Sequence, residues 1–261
     1  MQLRWVKCDE LDTLIKGIHY LASKCPNECY QFEIEHIKYE DRRKLTKKRF
    51  FYDKPYPYLL VNMGTGVSIL RVDGQYEYER VFGTSIGGGT FLGLCKLLTG
   101  ATSFEEALQL ALNGDSNNID TLVKDIYGGD YKRFNLHGNV VASSFGNIGK
   151  NMALSEEASI EDLAKTTLVT ILNNLTSIVC LCAKTMDITK ILFVGSFLRN
   201  NEQSLKLISI GMHYWTNGSI QPIFLEHEGF MGAVGCLRKY VLDNGDGSEH
   251  NDPESFCFNC S

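Results

Sequence analysis

The chain has 261 residues, 44 % of them hydrophobic and 22 % charged, enough to bury a sizeable core in one large domain or two small ones. A formal net charge of −5 argues against a nucleic-acid-binding surface, which needs clustered Lys and Arg. No apolar run approaches the ~18 residues of a membrane span, and the start "MQLRW" lacks the apolar core of a signal peptide.

The nine cysteines are odd in number and have no framework spacing; Cys95, Cys180, Cys182 and Cys236 fall in apolar helical patterns. They read as reduced, buried thiols of a cytosolic protein. Cys257 and Cys260 form a CxxC without the second pair that zinc would need, and chance is the better account.

In chain order, residues 9–22 place Leu11, Leu14, Ile15 and Ile18 at helical spacing, with acidic residues in the first turn. Residues 24–54 lack periodicity and read as an irregular connection. Their basic run, residues 41–49, reads as a solvated loop rather than a nuclear-localisation or phosphate-binding patch. The stretch "YPYLLVNMGTGVSILRV" predicts two strands broken at Gly64-Thr65-Gly66, which on spacing alone is a turn without a ligand. A turn at Asp73-Gly74-Gln75 leads to a third strand, "YEYERVF".

After "GTSIGGGT" the pattern turns helical. Phe91, Leu94, Leu97 and Leu98 are expected to share a face, and Gly100 ends the segment. Ser103 and Glu106 have capping-box spacing. "NIDTLVKDIYG" reads as a short amphipathic helix, residues 160–186 as a long one, "KILFVGSF" as a buried strand, and "EQSLKLISIGMHYW" as a helix. "IQPIFLEHEG" supplies a last strand and "FMGAVGCLRKYVL" a final helix. Residues 1–243 are taken as one domain and 244–261 as a disordered tail. The result is mixed α/β, with helices on the faces of a sheet.

Three consecutive glycines before a helix need either a ligand close to the main chain or a turn that side chains forbid. Phosphate oxygens are held by consecutive backbone N–H groups at a helix N-terminus. Gly87, Gly88 and Gly89 offer such a run, with hydroxyls at Thr84, Ser85 and Thr90, and phosphate binding is the favoured reading. Neither GxxxxGK[ST] nor GxGxxG occurs. Arg80, just before the loop, could hold an anion bidentately or be a surface strand residue. In Glu226-His227-Glu228 the acids are expected to cap the next helix and the histidine to be incidental.

Five segments together resemble the eukaryotic-type (type II) pantothenate kinases: "PYLLVNMGTGVSILRV", "YERVFGTSIGGGTFLGLCKLLTG", "TLVKDIYGGDYKRFNLHGNVVASSFGN", "ILFVGSFLRN" and "FLEHEGFMGAVG". The likeness extends over about residues 9–241. It implies an α/β, actin-like or sugar-kinase-like (ribonuclease H-like) ATPase fold, here largely its C-terminal half. It also implies ATP-dependent phosphorylation of pantothenate to 4′-phosphopantothenate in coenzyme A biosynthesis, with ATP and Mg2+ and with feedback inhibition by acetyl-CoA or another acyl-CoA. A cytosolic location and a homodimer, or a heterodimer with a full-length kinase, follow from it, with the nucleus as an alternative location.

Carried onto this sequence, the resemblance assigns nucleotide binding to Gly83, Thr84, Ser85, Gly87, Gly88, Gly89, Thr90 and Gly195. It assigns substrate or acyl-CoA contact to Thr65, Ser68, Arg80, Val141, Ala142 and Trp215, the last three beside a dimer interface; Thr65 stands where the family usually has serine. The family's first phosphate and magnesium loop ("DIGGT"-like) and its catalytic glutamate ("GGGAYKFE"-like) have no counterpart before "MQLRWVKCDELD". No catalytic or metal residue is therefore assigned, and the isolated chain is expected to phosphorylate pantothenate little. The alternative is a non-catalytic regulatory or dimerisation subunit that binds acyl-CoA. Kinases of the same superfamily acting on sugars are disfavoured by the "YGGDY" to "ASSFGN" segment.

Overall fold

A computed structural model describes residues 7–34, 45–51, 54–134, 136–149 and 158–244. The chain divides into two compact units, residues 1–26 with 230–261, and residues 27–229.

In the first unit, α1 (Glu10–Lys24) packs on α7 (Met231–Asn244). Asp9 starts α1 as its N-cap, its carboxylate accepting from the N–H groups of Leu11 and Asp12 at 2.9 and 3.1 Å. The two helices cross backbone to backbone. A Cβ on Gly17 would lie 2.7 Å from the Met231 carbonyl carbon, and one on Gly235 would lie 2.6 Å from that of Thr13.

The second unit is built on a sheet of seven strands: β1 (Cys29–Phe32), β2 (Lys47–Arg49), β3 (Tyr58–Met63), β4 (Val67–Gly74), β5 (Glu77–Thr84), β8 (Ile191–Val194) and β9 (Pro222–Leu225). Their order is β2-β1-β9-β8-β3-β4-β5. The β9-β8-β3 centre is parallel; β4 and β5 on one side and β1 and β2 on the other run antiparallel to their neighbours. Central strands of this kind are apolar on both faces. Accordingly Leu59, Leu60 and Val61 of β3 are all fully buried, as are Ile191 and Leu192 of β8.

The helices are α2 (Gly88–Thr99), α3 (Phe104–Asn113), the single turn α4 (Val123–Tyr127), α5 (Ile160–Met186) and α6 (Glu202–Thr216). α5 packs against α2, α3 and α6. Its 27 residues begin where Ser159 Oγ accepts from Asp162 N at 3.1 Å, and end where Asp187 turns left-handed. A separate two-stranded ribbon joins β6 (Thr121–Leu122) to β7 (Val141–Ser143).

Several expectations change. Residues 24–54 contain two strands, β1 and β2. β1 has only four residues, too few to show a period, and its partner β9 lies almost two hundred residues on. Part of the basic run, Lys47–Arg49, is strand β2, with Lys47 paired to Glu226 at 2.8 Å; residues 41–44 lie outside the described residues. Thr121 and Leu122 are strand rather than helix. The buried side of α2 is Phe91 and Cys95, one turn apart, while Leu94, Leu97 and Leu98 are exposed. Phe91 stacks edge-on against Phe104 and Phe197, so the aromatic contact decides which stripe turns inward. Cys95 and Cys180 are buried thiols, but Cys236 is exposed. Helix α5 is long and apolar enough to cross a membrane, although most of it is buried as the central helix of the unit. Asn244, the first residue of the proposed tail, closes α7, and residues 245–261, with Cys257 and Cys260, lie outside the described residues.

Candidate functional site

Strand β5 delivers Thr84 to a tight loop, and α2 begins at Gly88. What approaches these glycines is the chain itself. The N–H groups of Gly88 and Gly89 donate to the carbonyls of Gly64 and Thr65, both at 2.9 Å, in the turn between β3 and β4. A Cβ on Gly87 would stand 2.8 Å from Thr65 O, one on Gly88 2.8 Å from Gly64 O, and one on Gly89 2.7 Å from Thr65 Cγ2. The Gly64-Thr65-Gly66 turn is thus a strut under the glycine loop. In this structure the amides of Gly88 and Gly89 are therefore satisfied within the chain.

Two hydroxyls are also built into the loop. Thr84 Oγ1 accepts from Ile86 N at 3.1 Å, and Thr90 Oγ1 donates to Ser85 O at 3.0 Å. What the loop offers an anion is the N-terminal end of the twelve-residue helix α2, positive by its dipole, together with the Thr84 hydroxyl hydrogen and the Ser85 side chain.

Ser68, Arg80 and Gly83 come together at the rim. Ser68 on β4 stands opposite Gly83 on β5, and Arg80 Nε lies 3.4 Å from Ser68 Oγ. Arg80 is exposed, and among the described residues no carboxylate pairs with it. Thr65 is exposed at the neighbouring turn.

The carboxyl ends of β3, β8 and β9 open on the same side of the parallel centre, the position at which open α/β sheets bind ligands. Gly195 follows β8 with φ +117°, and a Cβ there would fall 2.6 Å from both Met63 N and Met63 C, so only glycine fits. Its N–H donates to Glu228 Oε1 at 2.7 Å, and Gly229 N donates to the same oxygen at 3.0 Å. Glu228 Oε2 is buried with no partner among the described residues. Burial pushes the Glu228 carboxyl up to about 7; the two N–H bonds pull it down and the charge of Glu28 pushes it up further.

The fully buried Glu28 accepts from His227 N at 3.1 Å and meets His227 Nδ1 at 2.6 Å. The expectation that Glu226 and Glu228 cap the next helix is therefore corrected. Glu226 pairs with Lys47, Glu228 holds two glycine N–H groups, and His227 has a carboxylate partner. Sequence reasoning missed Glu28 because its partner is 199 residues away.

Other assigned residues lie elsewhere. Val141 and Ala142 are in the β6–β7 ribbon. Trp215 is near the last turn of α6, whereas the Gly195 end lies before its first turn; thirteen helical steps from Glu202 are about 20 Å. Trp215 there lines an open cavity of about 720 Å³ with Phe134, His137 and Tyr214. Beside the ribbon, Asp120 is wholly buried. Its Oδ1 accepts from Phe145 N at 2.9 Å, Oδ2 has no partner among the described residues, and burial pushes its carboxyl up to about 6. Among the described residues no group of three or more His, Cys, Asp or Glu could hold a metal ion by itself; Mg2+ at phosphoryl-transfer sites is held by one or two carboxylates together with the nucleotide phosphates.

A sheet with a parallel centre, whose strand ends neighbour the glycine loop and an arginine without a carboxylate partner among the described residues, defines an α/β protein with a candidate ligand crevice. The chain belongs to the Fumble family, which matches residues 1–239. It is 38 % identical over 243 residues to a pantothenate kinase of Schizosaccharomyces pombe, covering 92 % of this chain and 59 % of that protein. It is 40 % identical over 247 residues to pantothenate kinase 1 of Arabidopsis thaliana, covering 94 % and 61 %. A 4′-phosphopantetheine phosphatase of Mus musculus is 38 % identical over 258 residues, 98 % of this chain and 29 % of that one. The chain thus spans about three fifths of the length of the two kinases. A glucokinase of Balamuthia mandrillaris, solved with glucose, aligns with a TM-score of 0.40 and 14 % identity over 88 % of this chain and 64 % of that one.

Proposed function

We propose that the chain supplies the phosphate-loop and substrate-rim portion of a pantothenate kinase with an actin-like ATPase fold, which transfers a phosphoryl group from ATP to pantothenate. Family membership and the names of the two kinase relatives support this reading. The observation that carries it is Arg80 held at Ser68, unpaired with any carboxylate among the described residues, at the rim of a glycine loop that opens a helix.

Phosphoryl transfer rests on positioning and charge neutralisation. In this arrangement the α2 N-terminus, Thr84 and Ser85 would receive nucleotide phosphate oxygens. Arg80 and Ser68 would hold the anionic substrate a few residues away along the same strand pair. Gly195, locked by Glu228 at the end of β8, would shape the neighbouring wall. Acyl-CoA thioesters, which share the pantothenate-derived chain, would compete at the Arg80 rim.

The test is calorimetric titration of the purified chain with a non-hydrolysable ATP analogue and with pantothenate, followed by a phosphorylation assay. Saturable binding of both ligands is expected. Binding of acetyl-CoA with no binding of pantothenate would favour a regulatory subunit instead. The name of the mouse relative makes dephosphorylation of 4′-phosphopantetheine a second activity to assay.

A further inference from the structure

Gly83 was assigned, by likeness to a family motif, to the nucleotide. Its surroundings point elsewhere. Gly83 faces Ser68 across the β4–β5 ladder, in regular register with Ile69 opposite Phe82. At the next step the register breaks: Leu70 stands opposite Arg80, which leaves Val81 as an extra, unopposed residue. Such a bulge shifts the alternation of side chains and re-aims them. Without it, Leu70 would oppose Val81 and Arg80 would project to the other face of the hairpin. With it, Arg80 shares the face of Ser68 and Gly83.

The side chain confirms the shift. The guanidinium folds back along the strand until Nε is 3.4 Å from Ser68 Oγ. A Cβ on Gly83 would lie 2.8 Å from Arg80 Cζ and closer still to Nη2, so the guanidinium occupies the space a side chain would need. A flat guanidinium can lie against a bare Cα in this way, and any side chain would lift it off. The seat is closed from below by the Val67 carbonyl, 3.0 Å from the same Cβ position.

We propose that Gly83 is a positioning residue that seats the Arg80 guanidinium beside Ser68, and that the Val81 bulge and this seat together set the site's preference for an anionic oxygen group. The inference rests on the kinase reading only for the identity of the anion. The seat itself is a property of residues 67–83. Pre-seating matters because an exposed arginine otherwise loses rotamer freedom when it binds, which weakens recognition. Gly83 therefore acts on the substrate side of the mouth and not on the nucleotide.

The experiment compares wild type, Gly83→Ala, Arg80→Gln, Arg80→Lys and the Gly83→Ala/Arg80→Gln double variant of the full chain. The readouts are calorimetric binding of pantothenate and of an ATP analogue, and the rate at which phenylglyoxal labels Arg80, followed by peptide mass spectrometry. Gly83→Ala should weaken pantothenate binding by about tenfold through loss of a charge-assisted contact, with the affinity for the ATP analogue unchanged. The double variant should bind no worse than Arg80→Gln alone, because the glycine works through the arginine. Arg80→Lys should lose as much as Gly83→Ala, since an ammonium cannot use the flat seat. Labelling of Arg80 should speed up severalfold in Gly83→Ala.

Additive losses in the double variant, or loss of ATP-analogue binding in Gly83→Ala alone, would overturn the proposal. If Gly83→Ala fails to fold, the lysine variant decides: wild-type affinity would overturn it and the expected loss would support it. If wild type binds no pantothenate, the kinase reading falls, and the labelling rates still decide the seat: equal rates overturn it and faster labelling supports it.

Discussion

Gly88 and Gly83 lie five residues apart and lack a side chain for different reasons. At Gly88 the vacant space is filled by main chain, the Gly64 carbonyl, and at Gly83 by a guanidinium. The first kind of glycine holds the fold together; the second leaves a functional group in place without carrying the architecture. A run of glycines before a helix is thus no evidence for a ligand until the occupant of each missing Cβ is known. Here most of the run serves a strut between two turns, and the glycine outside the run serves the arginine.

Four substitutions break or sharpen this contrast. Gly195→Ala should have the largest effect, because it combines a φ of +117° with overlap on Met63 main chain. We expect a loss of more than about 4 kcal/mol and little soluble protein, read by urea denaturation. Gly88→Val should cost about 3 kcal/mol by driving Gly64 O and the Phe197 ring apart, and nucleotide binding should fall only because the protein unfolds. A folded Gly88→Val protein with wild-type stability and no nucleotide binding would restore the direct phosphate role.

The two buried carboxylates come next, and their sign can be worked out. The Glu228 carboxyl ordinarily titrates near 4.5 and in the fold near 7, so between those values the folded chain holds the extra proton. Its contribution is full below about 4.5 and is lost as pH rises through 7, a change on the order of 3 kcal/mol. Glu228→Gln keeps an oxygen for Gly195 N and should flatten that fall in stability measured from pH 5 to 8. Asp120 behaves alike between 3.8 and about 6, and Asp120→Asn should remove a drop of up to roughly 3 kcal/mol over that range. The Asp120 effect should be somewhat the smaller, and Arg80 labelling should stay the same in that variant.

What could be read beforehand was local. The Gly64-Thr65-Gly66 turn, the Ser103 cap of α3 and the buried strand in "KILFVGSF" announce themselves within a few residues. So did the family motifs. What stayed hidden was set by partners distant in sequence, such as Glu28 with His227, β1 with β9, and the Gly88 amide with the Gly64 carbonyl. The proximity of Arg80 to Ser68 was suggested by family likeness, but its cause, one extra residue at Val81, cannot be seen without the ladder register. Which residues of the α2 face are covered was not legible either, because Phe91 is buried through Phe104 and Phe197, residues from other parts of the chain.

The parallel pairing of β3 with β8 joins residues near 60 with residues near 192. During synthesis, Leu59, Leu60 and Val61 therefore leave the ribosome long before the strand that covers one edge of them exists. For about 130 residues of elongation, at the ~5–20 residues per second of translation, this edge stays open to other chains. Recovery of soluble protein should accordingly depend on expression temperature and chaperone supply more than on the final stability of the chain.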